Sequence, residues 1–261
     1  MRLYCQPKID MKTGRISGAE ALVRWAHPRL GVITPVHFIK LAEQSGIITR
    51  VTNWMLNATM GYLRGWQESG HTGKLALNLS AHDIRSPAMA QRIEDQLDAW
   101  GVRPELIQFE LTESALIEDP DAALAALSRI KACGADVFID DYGTGYSSLS
   151  YLQRFPIDGI KIDQSFISPM LDDPDSAVIV RSTIELGHAL GSQVVAEGVE
   201  NVRVWQQLTE HGCDQAQGYL ISMPMPIEEL ARWQSRGERV VEPGIAAADA
   251  HSRCFDPPHL A

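Results

Sequence analysis

The chain has 261 residues, of which 45% are hydrophobic and 21% are charged, as expected of a globular protein with one large α/β domain or two small ones. Its formal net charge of -10 argues against a partner of duplex nucleic acid, although a bound divalent cation would let an acidic protein take a phosphate-containing substrate. The cysteines form no Cys-x-x-Cys pair and no apolar run approaches the roughly 18 residues of a membrane span, so we expect a cytoplasmic protein with reduced thiols and no membrane contact by this segment.

Short apolar segments with strand character alternate along the chain with longer amphipathic segments. The predicted strands are Leu3–Ile9, Ile16–Leu22, Leu75–Leu79, Ile107–Leu111, Val137–Asp141, Gly159–Ile162, Gln193–Ala196 and Ala216–Leu220. The predicted helices are Val51–Gln67, Met89–Trp100, Ala122–Cys133, Ala177–Leu190, Val202–His211 and Pro226–Trp233. Because parallel strands need a crossover connection, this alternation predicts a parallel sheet. About eight strands in about 250 residues favour an α/β fold of the TIM-like (β/α)8 barrel type, with an open, doubly wound sheet as the alternative.

The first two predicted strands differ from the rest because only Asp10–Arg15 separates them. Gly14 in this connection suits a tight turn, and the connection is too short for a helical crossover. We therefore expect one antiparallel strand, in an N-terminal hairpin, within an otherwise parallel barrel. At the other end, residues 238–261 have no periodic apolar face, so we predict one domain over residues 1–237 and a flexible C-terminal tail.

Polar side chains recur at or near the carboxyl ends of the predicted strands: Glu20, Asn78, Glu110, Glu113, Asp140, Asp141, Lys161, Asp163, Glu197 and Gln217. In a barrel these strand ends meet at one face, where enzymes of this fold place their active sites. Five or more converging carboxylates would repel one another unless cations neutralised them. Hard oxygen ligands favour Mg²⁺ or Mn²⁺ over zinc, and the adjacent Asp140 and Asp141 could let one carboxylate bridge two ions. A lysine among the acids could orient a water or stabilise developing charge.

The segment Asp141-Tyr-Gly-Thr-Gly-Tyr-Ser-Ser, which ends at Ser148, allows two interpretations. Its glycines could hold a phosphate, although it matches neither the Walker pattern nor the dinucleotide fingerprint. The alternative is a tight turn in which Ser147 or Ser148 caps a following helix.

Taken together, these residues resemble the EAL-domain family of cyclic di-GMP-specific phosphodiesterases. The family signature is matched by Glu20-Ala-Leu22 followed by Arg24-Trp25. Further matching segments, in chain order, are Asn78-Leu-Ser80, Glu110-Leu-Thr-Glu113, Asp140-Asp-Tyr-Gly-Thr-Gly-Tyr-Ser-Ser-Leu149, Lys161-Ile-Asp163, Ala196-Glu-Gly-Val-Glu200 and Gln217-Gly-Tyr219. Each motif alone is weak, but the ordered set is specific.

The resemblance implies a TIM-like barrel with one antiparallel strand and hydrolysis of cyclic di-GMP to linear pGpG with Mg²⁺ or Mn²⁺. We expect two such ions at the site. We also expect Ca²⁺ to be inhibitory, because a larger, loosely coordinated ion would misplace the water. The implied metal ligands are Glu20, Asn78, Glu110, Asp140, Asp141 and Glu197. Lys161 would hold the attacking water with help from Gln217, and Glu20 and Glu197 would also be catalytic. The implied substrate-binding residues are Gln6, Leu22, Arg24 and Asp163.

The resemblance also implies that Glu113 anchors the segment Asp141–Ser148, through which the family forms homodimers. Tyr142 stands where phenylalanine is usual, and this departure leaves the implied metal and catalytic positions intact. The protein would be cytoplasmic, alone or as the cytoplasmic module of a larger sensor.

Two other functions stay open at this point. The first is a catalytically inactive receptor that binds cyclic di-GMP and signals through its dimer. The second is an unrelated barrel enzyme in which Lys161 forms a Schiff base with a carbonyl substrate. The carboxylates expected around Lys161 would keep it charged, which disfavours the second.

Overall fold

A computed structural model of the chain describes residues 1–145 and 152–230. The strands are β1 (Arg2–Asp10), β2 (Arg15–His27), β3 (Gly31–Ile33), β4 (Lys74–Asn78), β5 (Ile107–Thr112), β6 (Asp136–Tyr142), β7 (Gly159–Ile162), β8 (Gln193–Ala196), β9 (Gln215–Ala216) and β10 (Met225–Pro226). The helices are α1 (Pro35–Gln44), α2 (Ile48–Glu68), α3 (Ala81–Arg85), α4 (Ala88–Trp100), α5 (Glu113–Glu118), α6 (Pro120–Ala132), α7 (Gln164–Ile167), α8 (Pro174–Ala189) and α9 (Val202–Glu210). Within the two described ranges, no helix combines the length and the apolar character needed to cross a membrane.

Eight strands close into a barrel, in the order β1, β2, β4, β5, β6, β7, β8, β9 and back to β1. All neighbours from β2 to β9 are parallel, whereas β1 runs antiparallel to both β2 and β9. The predicted TIM-like barrel with one antiparallel strand is therefore confirmed, and the open, doubly wound sheet is wrong. Two short strands extend the barrel: β3 pairs with the end of β2, and β10 pairs with β1 at Tyr4 and Cys5.

The predicted N-terminal hairpin is present, and its turn explains why it forms. Gly14 has a φ of 70°, a conformation that glycine adopts without steric cost. The Asp10 carboxylate accepts hydrogen bonds from the backbone nitrogen and the hydroxyl of Thr13, both at 2.7 Å. The register across the hairpin places Gln6 opposite Glu20, which brings two of the predicted site residues side by side.

The last predicted strand, Ala216–Leu220, is wrong beyond its first residue, since β9 covers only Gln215–Ala216. The chain turns at Gly218, where a β-carbon would lie 2.2 Å from the backbone oxygen of Val199. Leu220 then donates a backbone hydrogen bond to the same oxygen at 3.0 Å. Only glycine permits this close approach of two backbones. The chain leaves the sheet at Gly218 to make these contacts, and the strand ends there.

The long helices occur where periodicity predicted them, with ends shifted by up to three residues. Helices α1, α3, α5 and α7 and strands β3 and β10 were not predicted. Helices α3 and α5 span 5 and 6 residues, too few to show a helical period, and are capped by the side chains of Ser80 and Thr112. Residues 227–230 are helical, but the rest of the predicted Pro226–Trp233 helix, the tail from 238 and the caps at Ser147 or Ser148 lie outside the described residues.

The barrel interior carries an aromatic layer below its polar layer. The Phe138 ring is 1% exposed and occupies the space next to Gly159, where a β-carbon would lie 2.1 Å from Phe138 Cε1. Asp140 and Lys161 lie two residues further along the same strands, and alternate residues of a strand share one face. The glycine and the phenylalanine therefore fill the interior beneath the two polar groups.

Candidate active site

A buried ammonium group lies among four carboxylates near the carboxyl ends of the barrel strands. Lys161 Nζ lies 2.7 Å from Glu110 Oε2, 2.7 Å from Glu197 Oε1, 3.0 Å from Asp140 Oδ1 and 3.6 Å from Glu20 Oε2. These residues come from β2, β5, β6, β7 and the residue after β8, so they meet only because the barrel closes. The predicted convergence of these side chains is confirmed.

The carboxylate of Glu20 is held from two sides by amide groups. Asn78 Nδ2 donates to Glu20 Oε1 at 2.7 Å, and Gln217 Nε2 donates to Glu20 Oε2 at 2.8 Å. The same Gln217 nitrogen also donates to Gln6 Oε1 at 3.0 Å. The Asn78 nitrogen donates to Glu20, and the Asn78 carbonyl oxygen accepts no hydrogen bond from the described residues. This oxygen could therefore bind a hard cation.

The two adjacent aspartates reach the same cleft because the backbone is irregular between them. Asp141 has a φ of 53°, and the register of β6 against β7 shifts between Ile139 and Tyr142. In a regular strand, neighbouring side chains point to opposite faces. Here one ligand oxygen each of Asp140, Asp141 and Glu197 can lie within 4.8 Å of one another.

These five acids, Glu20, Glu110, Asp140, Asp141 and Glu197, are called the acidic cluster below. Burial raises the pKa of Asp140 to about 7, against the opposing effect of Lys161. Burial likewise raises the pKa of Glu197 well above its ordinary value. Burial alone would lower the pKa of Lys161, but the surrounding carboxylates raise it well above its ordinary value, so its ammonium stays charged. The positive charge at the site is thus too small for all the acids to ionise easily.

Divalent cations fit the acidic cluster on these grounds. The donors are carboxylate oxygens with one amide oxygen, which is the ligand set of Mg²⁺ and Mn²⁺ and not of zinc. A cation would also supply the positive charge that Asp140 and Glu197 lack. The residues that could hold ions are those predicted as ligands: Glu20, Asn78, Glu110, Asp140, Asp141 and Glu197.

Two cavities open beside the acidic cluster. The first has a volume of about 440 Å³ and is lined by polar groups that include Gln6, Glu20, Asp141, Asp163, Glu197, Gln217 and Tyr219. The second has a volume of about 410 Å³ and is lined mainly by apolar side chains, among them Leu22, Ile39, Ile48, Val51 and Met55. It begins at Asn78, the residue that bonds to Glu20.

The predicted substrate-binding residues divide between these two cavities, with one exception. Gln6 and Asp163 line the first cavity, where Asp163 also caps α7 through a hydrogen bond from Ser165, and Leu22 lines the second. The Arg24 guanidinium instead lies over the Tyr4 ring, 5.6 Å from its centroid. Arg24 is not among the residues that line either cavity.

Comparison with known proteins identifies the family. The sequence model described as "EAL domain" matches residues 1–224. The chain belongs to the EAL domain family. The aligned region of the bifunctional diguanylate cyclase/cyclic di-GMP phosphodiesterase MucR of Pseudomonas aeruginosa is 40% identical over 229 residues, covering 87% of this chain and 33% of MucR. The cyclic di-GMP phosphodiesterase PdeR of Escherichia coli is 38% identical over 234 residues, covering 90% of this chain and 35% of PdeR.

The EAL domain thus spans about a third of the length of these two relatives. Among solved structures, the complex of the MucR phosphodiesterase with c-di-GMP superposes with a TM-score of 0.85 at 40% identity, covering 87% of this chain and 93% of that one. The EAL domain of Mycobacterium smegmatis DcpA superposes with a TM-score of 0.78 at 32% identity, covering 90% and 98%.

In this EAL domain, Glu113 contacts the beginning of the predicted dimerisation segment. Its Oε2 accepts a hydrogen bond from the backbone nitrogen of Gly143 at 2.9 Å. A β-carbon on Gly145 would lie 2.7 Å from Glu113 Oε1, so a side chain at residue 145 would have to displace this carboxylate. The anchoring role and the homodimer stay predictions, and residues 146–148 of the segment lie outside the described residues.

Sequence reasoning missed one charged residue of the EAL domain site, Lys8. Its side chain is fully buried, and Nζ lies 3.2 Å from Glu110 Oε1. Burial alone would raise the pKa of Glu110, but Lys161 and Lys8 together lower it below its ordinary value. Lys8 lies two residues after Gln6 in β1 and so shares its inward face. Once Gln6 is placed in the site, the alternation of side chains along β1 predicts that Lys8 also points into the barrel.

Proposed function

We propose that this EAL domain hydrolyses cyclic di-GMP to linear pGpG, using two Mg²⁺ or Mn²⁺ ions. The observation that carries the proposal is the complete acidic cluster around Lys161, with every predicted acid present and its charge unbalanced without cations. The names of the relatives support the substrate, since MucR and PdeR are cyclic di-GMP phosphodiesterases. Because the chain matches only part of each relative, activity and substrate are inferred for this domain alone.

The reaction is an in-line displacement at phosphorus. A water oxygen bonds to one phosphorus of the cyclic dinucleotide, and the bond from that phosphorus to a ribose 3′ oxygen breaks. The leaving oxygen takes up a proton, which gives one 5′ phosphate and one 3′ hydroxyl, the termini of pGpG. Bound divalent ions would activate the water and neutralise the developing charge.

The protein groups position the water and its environment. The Lys161 ammonium stays protonated, so it acts as a hydrogen-bond donor and not as a base. Its three N–H groups lie against Glu110, Glu197 and Asp140, so one of these contacts would have to be exchanged for the water oxygen. Gln217 holds Glu20 in place through its side-chain nitrogen and reaches the same cleft. Burial of the cluster strengthens each of these interactions, because the surroundings have a low dielectric constant.

The two cavities suit a ligand with phosphates and two bases. The polar cavity is lined by Glu20, Asp141 and Glu197 of the acidic cluster and would hold the scissile phosphate. The apolar cavity beside Leu22 would take one guanine base. Tyr219 is 57% exposed at the rim of the polar cavity and offers a ring on which a second base could stack. Arg24 would have to leave the Tyr4 ring to reach a phosphate.

The test is incubation of the purified domain with cyclic di-GMP and Mn²⁺, with and without EDTA, followed by chromatography of the products. Appearance of pGpG only with metal supports the proposal. Binding of cyclic di-GMP with no turnover in either Mg²⁺ or Mn²⁺ would contradict it and favour a receptor. Glu20→Gln keeps the shape of the side chain and removes its charge, so it serves as the matched variant in which pGpG should not form.

The homodimer and the cytoplasmic location also belong to this proposal. Light scattering of the purified domain, with and without cyclic di-GMP, tests the first. A monomer at all concentrations that nonetheless turns over substrate would separate catalysis from dimerisation.

A further inference from the structure

The two carboxylate oxygens of Glu110 have different partners. Oε1 accepts hydrogen bonds from Lys8 Nζ at 3.2 Å and from Gln108 Nε2 at 2.7 Å, whereas Oε2 accepts one from Lys161 Nζ at 2.7 Å. A carboxylate oxygen has about two lone-pair sites. Oε1 is therefore saturated, and Oε2 keeps one site free. Glu110 can offer a cation only that single position.

The partners of Oε1 are buried inside the barrel. Lys8 is 1% exposed and Gln108 is 3% exposed. The Lys8 ammonium also lies 5.7 Å from the centroid of the Phe138 ring, which bounds it from one side. Gln108 precedes Glu110 by two residues in β5 and so projects from the same face of the strand. Neither donor can leave Oε1 without disturbing packed neighbours.

We infer that Lys8 is a positioning residue that, together with Gln108, restricts Glu110 to one-oxygen coordination of a divalent ion. This inference rests on the function proposed above. Mg²⁺ requires nearly ideal octahedral geometry, whereas Ca²⁺ takes six to eight oxygens and accepts both oxygens of one carboxylate. By occupying Oε1, the two donors remove the two-oxygen mode that the larger ion prefers. Lys8 thus contributes to metal selectivity without touching the metal.

The effect of Lys8 on metal selectivity can be measured separately from the effect of its charge on metal affinity. Removing this ammonium lowers the positive charge near the site, which tightens the binding of every divalent ion by electrostatics alone. Mn²⁺ and Ca²⁺ carry the same charge, so this effect largely cancels in the ratio of their affinities. A change in the ratio therefore reports coordination geometry.

The experiment measures metal binding to the EAL domain and needs no turnover. Electron paramagnetic resonance of free Mn²⁺ gives the Mn²⁺ affinity, and displacement by Ca²⁺ in the same sample gives the Ca²⁺ affinity. We expect Lys8→Met to shift the affinity ratio toward Ca²⁺ by about tenfold, the lower end of effects seen when outer partners of metal ligands are removed. Lys12→Met, the same substitution at an exposed position of the hairpin turn, should leave the ratio unchanged.

A second variant keeps the test decisive if Lys8→Met does not fold. Gln108→Leu frees the other lone pair of Oε1 and should shift the ratio in the same direction. An unchanged ratio in a folded Lys8→Met protein, or in Gln108→Leu, would overturn this inference while leaving the phosphodiesterase proposal intact. A wild-type domain that binds no Mn²⁺ would overturn both.

Discussion

The Glu113 carboxylate occupies the space that a side chain at position 145 would need, since a β-carbon there would lie 2.7 Å from Glu113 Oε1. We expect the added methyl group of Gly145→Ala to push the Glu113 carboxylate away from the backbone nitrogen of Gly143. The residues that follow β6 would then be misplaced, which should lower turnover by at least about tenfold with little loss of stability. Gly65→Ala in α2 is the matched control, because a β-carbon there meets no atom within 4 Å. The control should keep full activity and gain about 0.5–1 kcal/mol of stability in thermal unfolding.

Lys161→Ala removes the only ammonium that contacts four members of the acidic cluster within the described residues. Loss of a positioned donor that stabilises developing charge should reduce kcat by at least about 10²-fold, and Glu20→Ala should do the same. Circular dichroism in the presence of Mn²⁺ should show an intact fold for both. Lys12→Ala, on the exposed hairpin turn, is the control for lysine removal. Wild-type rates in either site variant would remove that residue from the mechanism.

Without bound metal, the contribution of Asp140 to the stability of the protein should fall as the pH rises. Burial raises the pKa of Asp140 to about 7 in the folded state, whereas an unfolded aspartate has a pKa of about 4. The folded state then binds more protons between these values, so the contribution of Asp140 to stability is complete below pH 4 and is lost as the pH rises through 7. The check is the unfolding temperature from pH 4 to 8 in EDTA and in excess Mg²⁺. A fall of equal size in both would contradict the prediction, because bound Mg²⁺ should favour the ionised carboxylate.

Ca²⁺ should bind to the domain without supporting hydrolysis, because a larger and loosely coordinated ion would misplace the water. In steady-state assays, Ca²⁺ added to the Mg²⁺ enzyme should act as an inhibitor that excess Mg²⁺ reverses. Rapid pGpG formation with Ca²⁺ as the sole divalent ion would contradict a site that depends on strict coordination geometry.

Gly159→Ala should destabilise the barrel, because its β-carbon would lie 2.1 Å from Phe138 Cε1. Overpacking of this kind costs typically about 1–3 kcal/mol in the free energy of unfolding, measured by denaturant titration. Phe138→Leu frees space at the same point, so the double variant should lose less stability than the sum of the two single variants. Additive losses would show that the two side chains do not compete for space.

The sequence predicted the barrel well because strand and helix periods differ clearly over long segments, and because a short connection at Gly14 excludes a helical crossover. It predicted the convergence at the site from one rule, that parallel strands of a barrel share a carboxyl face. The rule could not show that Asp140 and Asp141 both reach the cleft, since this depends on the positive φ of Asp141.

Other details depended on contacts between distant parts of the chain. The last predicted strand ended early because Gly218 meets the Val199 backbone, which periodicity cannot register. Lys8 was missed because a single lysine in a strand suggests solvent exposure, whereas its burial depends on the ion pair with Glu110 from a non-adjacent strand. Arg24 lies over Tyr4, a placement that depends on the rotamer and not on the motif.

The antiparallel first strand affects the order in which the candidate site forms during folding. On one side β1 pairs with β9 and β10, and Tyr4 lies opposite Pro226. This seam, where the barrel closes, therefore joins the earliest and the latest segments of the described chain. The hydrogen bond between Gln217 and Glu20 crosses the same region and joins residues 197 positions apart. Contacts of such long range form late and slowly, because the entropy of closing a long loop must be overcome first. Closure of the seam and assembly of the candidate site should therefore occur in the same late step of folding. A partly folded chain would lack the arranged side chains that the proposed function needs.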